Sequence, residues 1–260
     1  MCARFTITLD LEDIADLYGV SVTDIRHTPA GTHPYAHRTD ARHNIGPRDL
    51  ITIVQRNHHH QTQLNRVWWD FTPTRQPRPD RTWHNAVSEK ARDTQGVGRI
   101  YRSALRHSRC LIPFQGFYEW QRQLTGPKQP WCIRPTNHAR HHAFAGITSR
   151  WTDRQGNTIE GATLFTTRAN SLMSWIHNEK PRMPVILDPD RQAQWLSPDL
   201  DDPDTAAELL QPLPDHTLEA WPVARRLNNP RTDHAACATP TGDTLNQPPT
   251  DDTATRTLFD

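Results

Sequence analysis

The sequence predicts an α+β protein built around a barrel-like or sandwiched sheet. Many short β-branched and aromatic runs are separated by only short helical segments, the pattern of a mixed sheet with helices packed on it. A strand–helix–strand alternation and a glycine-rich phosphate loop are both missing, which excludes the doubly wound and P-loop nucleotide-binding classes. A chain of 260 residues suits one large domain, or one domain and a tail.

The elements follow in order. Asp10 is placed to cap a helix over LEDIADLYG, which Gly19 ends. Residues 26–48 read as a long loop. LITIV at 50–54 and the run 64–69 read as strands of a hairpin around a polar, His-rich turn. Three prolines make 71–82 a loop. CLIPFQGFYEW at 110–120 reads as one strand with a bulge at its glycine. QPWCIRP, HAFAGITSRW and GATLFTT are further strands, ANSLMSWIH a helix and PVIL a strand. DPDRQAQWL is a helix opened by Asp188, and the acidic run 199–204 is a solvated loop and helix start. From about Thr232 the chain is polar and proline-rich without apolar periodicity. It divides into a domain over 2–231 and a disordered tail over 232–260.

Composition narrows the class. Apolar residues make up 35% and the mean hydropathy is −0.80, yet nine Trp and seven Phe supply a core. No apolar run approaches the roughly 18 residues that span a bilayer. The start MCARFTITLD has no basic stretch followed by an apolar one, so a cytoplasmic monomer without a secretory signal is expected. The four cysteines form no CxxC pair, which argues against a disulfide framework or zinc ribbon. His58, His59 and His60 are consecutive in a turn and cannot easily share one ion. With His141 and His142 they match no structural zinc spacing, so neither a metal nor another cofactor is expected. Charge is uneven: residues 1–150 carry 21 Lys and Arg against 12 Asp and Glu, residues 151–260 carry 9 against 17. The arginines of the first part suit phosphates.

Cys2 has chemistry open to no interior residue. Methionine aminopeptidase removes Met1 ahead of a small side chain, and Cys qualifies. The new terminus then holds an amine and a thiol on one residue. The amine condenses with an aldehyde to an imine, and the sulfur closes on the imine carbon to give a five-membered thiazolidine. An α-amine titrates at about 7.7–8.0 and a lysine at about 10.4, so at neutral pH the terminal amine is a few-hundred-fold richer in its nucleophilic form.

MCARF, HNAVSEK, RCLIPFQGFYEW, KQP at 128–130, AFAG at 143–146, TTRAN at 166–170 and IHNEKPRMPVIL at 176–187 occur in one order. Together they resemble the SRAP family, the SOS-response-associated or abasic-site-processing proteins, from residue 2 to about Asn229. The resemblance implies a single α+β domain with a β-barrel-like core of mixed strands and short surrounding helices. It also implies a covalent crosslink between Cys2 and the ring-opened aldehyde of an abasic site in single-stranded DNA. Glu119 then shuttles protons, its aromatic neighbours raising its pKa. His177 protonates the departing sugar O4′, and Asn85 orients the sugar or the Cys2 amine. For binding, Trp69 matches the family tryptophan, and Trp68 or Trp69 stacks on a base while strand alternation sends the other inward. Arg4 and Arg182 fall on phosphate-binding positions.

The pattern is broken at three places: Ala3 replaces the usual Gly after Cys2, Val87 a usual Arg, and Asp70, an anion near the expected DNA face, a usual Gly. The reaction is expected to survive and DNA affinity to differ. Leu258 and Phe259 end the chain much as peptides that bind replication sliding clamps end, which makes such a clamp a candidate partner. Rival readings are a cysteine peptidase with Cys2 as nucleophile and His177 as base, and a non-catalytic reader of single-stranded DNA.

Overall fold

The computed structural model describes residues 2–21, 26–27, 41–72, 83–137, 141–152, 156 and 158–249. In chain order these form β1 (Arg4–Ile7), α1 (Leu11–Tyr18), β2 (Arg26–His27), β3 (Arg42–Ile45), β4 (Leu50–Arg56), β5 (Thr62–Trp68) and β6 (Asn85–Val87). Then come α2 (Gly96–His107), β7 (Arg109–Phe114), β8 (Gly116–Gln121), β9 (Gln129–Pro135), β10 (His142–Thr152) and β11 (Thr158–Arg168). The last are α3 (Ser171–Ile176), β12 (Arg182–Pro184), β13 (Ile186–Leu187), α4 (Pro189–Trp195), α5 (Pro203–Glu208) and β14 (Leu218–Pro222).

The fold is α+β around a mixed barrel. Strands β11, β10, β7, β4 and β5 lie side by side in that order, and β5 returns to β11 through the parallel pair Gly161 and Trp68. Glycine is needed there because a Cβ on residue 161 would lie 2.1 Å from the Asp70 carbonyl oxygen. Strand β6 lies alongside β11 beyond that contact, with Asn85 opposite Leu164. A second sheet has the order β14-β9-β8-β1-β3. Aromatic rings fill the space between sheet and barrel. Phe5 of β1 meets Trp69 at 5.1 Å and Phe144 at 5.8 Å, and Phe144 stacks on Phe114 at 3.8 Å. Each fully buried side chain of this kind contributes about 1.5–3 kcal/mol.

The local signals for α1 hold. Asp10 and Asp13 form a capping box, and Gly19 ends the helix at φ 63°. Asp188 caps α4 through the Arg191 amide. The segment 110–120 differs from expectation: it is two strands in different sheets. Strand β7 ends in the barrel at Phe114, and β8 begins in the second sheet at Gly116. Gln115 makes the crossing, its amide donating to the Thr6 carbonyl at 3.0 Å and its side-chain oxygen accepting from the Thr8 amide at 2.7 Å.

The expected disorder from residue 232 is corrected as far as residue 249. This segment straps the second sheet. The Asp233 carboxylate accepts from the His43 and Asn44 amides of β3 and pairs with Arg42 at 3.0 Å. Leu245 exchanges two backbone hydrogen bonds with Ala220 of β14. Cys237 is buried in a small core with Tyr118, Cys132, Trp221, Val223 and Leu227. Polar side chains satisfying edge backbone hold the strap, so it has no apolar period to read. Leu258 and Phe259 lie outside the described residues. Among those residues no helix is long and apolar enough to cross a membrane.

Candidate active site at the amino terminus

Four of the sequence-selected residues come from four elements and meet where the second sheet abuts the barrel. Cys2 precedes β1, is 1% exposed, and its thiol faces the Arg4 carbonyl at 3.8 Å. Asn85 opens β6 and donates its side-chain amide to the Cys2 carbonyl at 2.7 Å. Its Oδ1 is buried with no hydrogen-bond partner among the described residues. Glu119 lies in the middle of β8 and is 3% exposed. Strand alternation puts it on the face of Phe117, toward the barrel, while Tyr118 faces the strap core. His177 ends α3, whose first turn Asn170 caps through the Met173 amide. The helix is fixed to the second sheet by Gln121, which donates to the Trp175 carbonyl at 3.1 Å. A further clamp is reciprocal: Asn178 accepts from the Arg122 amide and donates to the Arg122 carbonyl, both at 3.0 Å.

The electrostatics follow from burial. Removal from water pushes the Glu119 carboxyl up to about 7, against the opposing charge of the chain's α-amine. Burial, then the Glu119 charge, pushes the Cys2 thiol well up. Burial, then the α-amine, pulls the His177 imidazole below its ordinary value. Its Nδ1–H donates to the Arg182 carbonyl at 3.2 Å, which leaves Nε2 with the lone pair. Glu119 approaches Nδ1 at 3.9 Å. A carboxyl about half protonated at neutral pH thus faces an imidazole pulled toward its neutral form.

The binding residues are disposed less simply. Trp69 is 0% exposed, packs edge-on against Phe5 and donates its indole N–H to the His84 carbonyl at 2.8 Å. It is a core residue and has no face to offer a base; its half-buried neighbour Trp68 is the one at the surface. Arg4 is held by Asn44 Oδ1 at 2.7 Å. Arg182 makes a bidentate pair with Glu89 at 2.8 Å for each contact and reaches the Thr166 carbonyl at 2.5 Å. Asp70 is not an anion on a binding face: it is buried and accepts from the Trp83 amide at 3.2 Å. Sequence reasoning did not single out Asn44, Glu89 or Thr166. Glu89 and Thr166 lie inside the motif stretches HNAVSEK and TTRAN, so the letters were visible and their pairing with Arg182 was not.

A family model described as SOS response associated peptidase (SRAP) matches residues 1–230. The chain belongs to this family. Among SRAP relatives, the abasic site processing protein YoqW of Bacillus subtilis is 30% identical over 231 residues, covering 88% of this chain and 95% of that one. The abasic site processing protein YedK of Escherichia coli is 24% identical, with 88% and 95% covered. For HMCES of Xenopus tropicalis the match is 29% identical and covers 62% of this chain and 52% of that one. A crystal structure of a Bacteroides thetaiotaomicron protein superposes with a TM-score of 0.74 at 22% identity, over 92% of this chain and all of that chain. It shares the fold seen here.

Proposed function

We propose that this protein processes abasic sites in single-stranded DNA by trapping them covalently on Cys2. The observation that carries the reading is the Asn85 side chain, which grips the Cys2 carbonyl at 2.7 Å. This holds the residue that becomes the amino terminus beside Glu119 and His177. The orphaned Asn85 Oδ1 is a ready acceptor for an amine on that residue.

The reaction begins with the closed sugar. His177 Nε2 takes the proton of the C1′ hydroxyl and Glu119, as the acid, delivers its proton to O4′, which opens the ring to the aldehyde. This assignment differs from the sequence reading of His177 as the O4′ acid, because a buried neutral imidazole is a poor proton donor. The Cys2 amine then adds to C1′, and water leaves to give the imine. The Cys2 thiol loses its proton to a neighbouring base, Glu119 or His177, and sulfur bonds to C1′ as nitrogen takes up a proton. The sum is protein plus DNA minus one water. The imine also permits β-elimination, so abasic-site lyase activity accompanies trapping. Arg4 and Trp68 supply phosphate and base contacts, and Arg182 joins them once a phosphate replaces Glu89.

The names of YoqW, YedK and HMCES support abasic-site processing. The test is intact-protein mass spectrometry before and after incubation with a uracil oligonucleotide treated with uracil glycosylase. The expected result is a chain lacking Met1 that gains the oligonucleotide mass less one water, and a Cys2→Ser variant with no heat-stable adduct. A retained or acetylated Met1, or a heat-stable adduct in Cys2→Ser, refutes the mechanism.

A further inference from the structure

A cavity of about 700 Å³ lies between α2, the β4–β5 hairpin, β10 and Glu160 of β11. Among the described residues, strands β5 and β11 pair only at Trp68 and Gly161, and before that pair β5 takes β2 as its parallel neighbour, with Arg26 opposite Asn65. The cavity reaches Glu160 on β11, four residues before Leu164, the partner of Asn85, or about 13 Å along the strand. Helix α2 roofs it and the β4–β5 hairpin forms its floor. The volume is that of a small-ligand site.

Its lining is polar in two distinct ways. The floor is made of amides. Gln55 and Gln63 face each other across β4 and β5, both buried, and both line the cavity. Asn65 follows two residues further along the same face of β5, beyond the residues that line the cavity. It is 1% exposed, and neither its Oδ1 nor its Nδ2 has a partner among the described residues. The rim is cationic. Arg99, Ser103 and His107 recur every fourth residue on the cavity face of α2, and the exposed side chains of Arg99 and His107 have no partner among the described residues. Arg150 stands opposite, only loosely paired with Glu160 at 3.6 Å. The cavity's other two arginines are committed, Arg56 to the Leu196 carbonyl and Arg109 to the Trp195 carbonyl.

We infer that this cavity binds a nucleotide unit, with the base on the Gln55–Gln63 floor and the phosphate on the Arg99–His107 rim. Side-chain amides offer the adjacent donor and acceptor that match a base edge. The Phe71 ring in the wall gives that base an apolar neighbour. A guanidinium at the mouth suits phosphate. The unit comes either from a free nucleotide or from a residue of a DNA strand, and the two sources share this chemistry.

Calorimetry on the full chain with deoxyadenosine 5′-monophosphate, deoxyadenosine and inorganic phosphate decides. The monophosphate is expected to bind more tightly than either fragment. Arg99→Ala, at an exposed helix position that leaves the fold intact, weakens it about tenfold, the loss of one charge-assisted hydrogen bond. Gln63→Leu weakens it similarly. Both variants still form the Cys2 adduct with a short abasic oligonucleotide. If a long undamaged oligonucleotide competes with the monophosphate and is weakened by Arg99→Ala, the strand is the source; if both bind together, the free nucleotide is. The inference is overturned if the monophosphate does not bind, if phosphate alone binds equally well, or if neither variant changes the affinity. These readouts do not depend on adduct formation, so failure of the Cys2 chemistry is distinguishable from failure here.

Discussion

At the scale of single residues, Glu119 is where fold and chemistry oppose each other. Its carboxyl has been pushed from 4.5 to about 7 by burial. The folded chain therefore holds a proton that the unfolded chain releases between those values, and stability falls as pH rises through that window. The loss amounts to about 3 kcal/mol at pH 8. Replacement by Gln removes it, so Glu119→Gln raises the melting temperature at pH 8 and leaves it nearly unchanged near pH 4.5; equal shifts at both pH values refute the buried-carboxyl account. The same variant slows adduct formation and abolishes the fall in rate above pH 7, which initial rates across pH report. Cys2, Asn85, Glu119 and His177 were legible in the sequence because each stands in a stretch whose order is distinctive. Trp69 was not correctly legible as to side: alternation says that adjacent tryptophans face opposite ways, and only the packing of Phe5 says which way is in.

Among the elements, β7 and β8 show what a one-dimensional pattern conceals. Eleven residues of continuous strand character cross between two sheets at Gln115, since backbone propensity is the same in either sheet. Helix α2 was not read at all. It begins GVG, its N-cap Gln95 makes no side-chain cap, and its face is set by the strands beneath it. By contrast α1 and α4 were read correctly because Asp10, Gly19 and Asp188 are local devices. The barrel seam depends on one such element contact. Gly161→Ala forces a Cβ against the Asp70 carbonyl and is expected to cost about 1–3 kcal/mol, read as a lower urea midpoint with an unchanged slope. An unchanged midpoint means that β5 and β11 do not touch there in solution. Glu89→Gln belongs to the same scale. It removes one charge of the bidentate Arg182 pair, and is expected to tighten binding of abasic single-stranded DNA and steepen its salt dependence, by freeing that guanidinium for phosphate. A weaker or salt-indifferent complex contradicts the phosphate role of Arg182.

Across the whole molecule, the class of fold was visible in composition and strand spacing, but the strap was not. Residues 232–249 have the polarity of a disordered tail and earn their order through Asp233, Cys237 and Leu245. Ending the chain at residue 231 exposes the Tyr118–Trp221 core and strands the Asn44 and His43 amides. We expect a fall of about 10 °C in melting temperature together with binding of an apolar dye, and an unaltered melting curve refutes a structural strap. The strap also has a consequence for synthesis. β3 and β14 are the outermost strands of their sheet, and the segment that masks both follows them in the sequence. While the ribosome is still making it, the nascent sheet presents two open flanks to any other unfinished chain. Emergence of residues 232–249 is thus the step that closes both flanks, and a pause before it prolongs the exposure that favours aggregation.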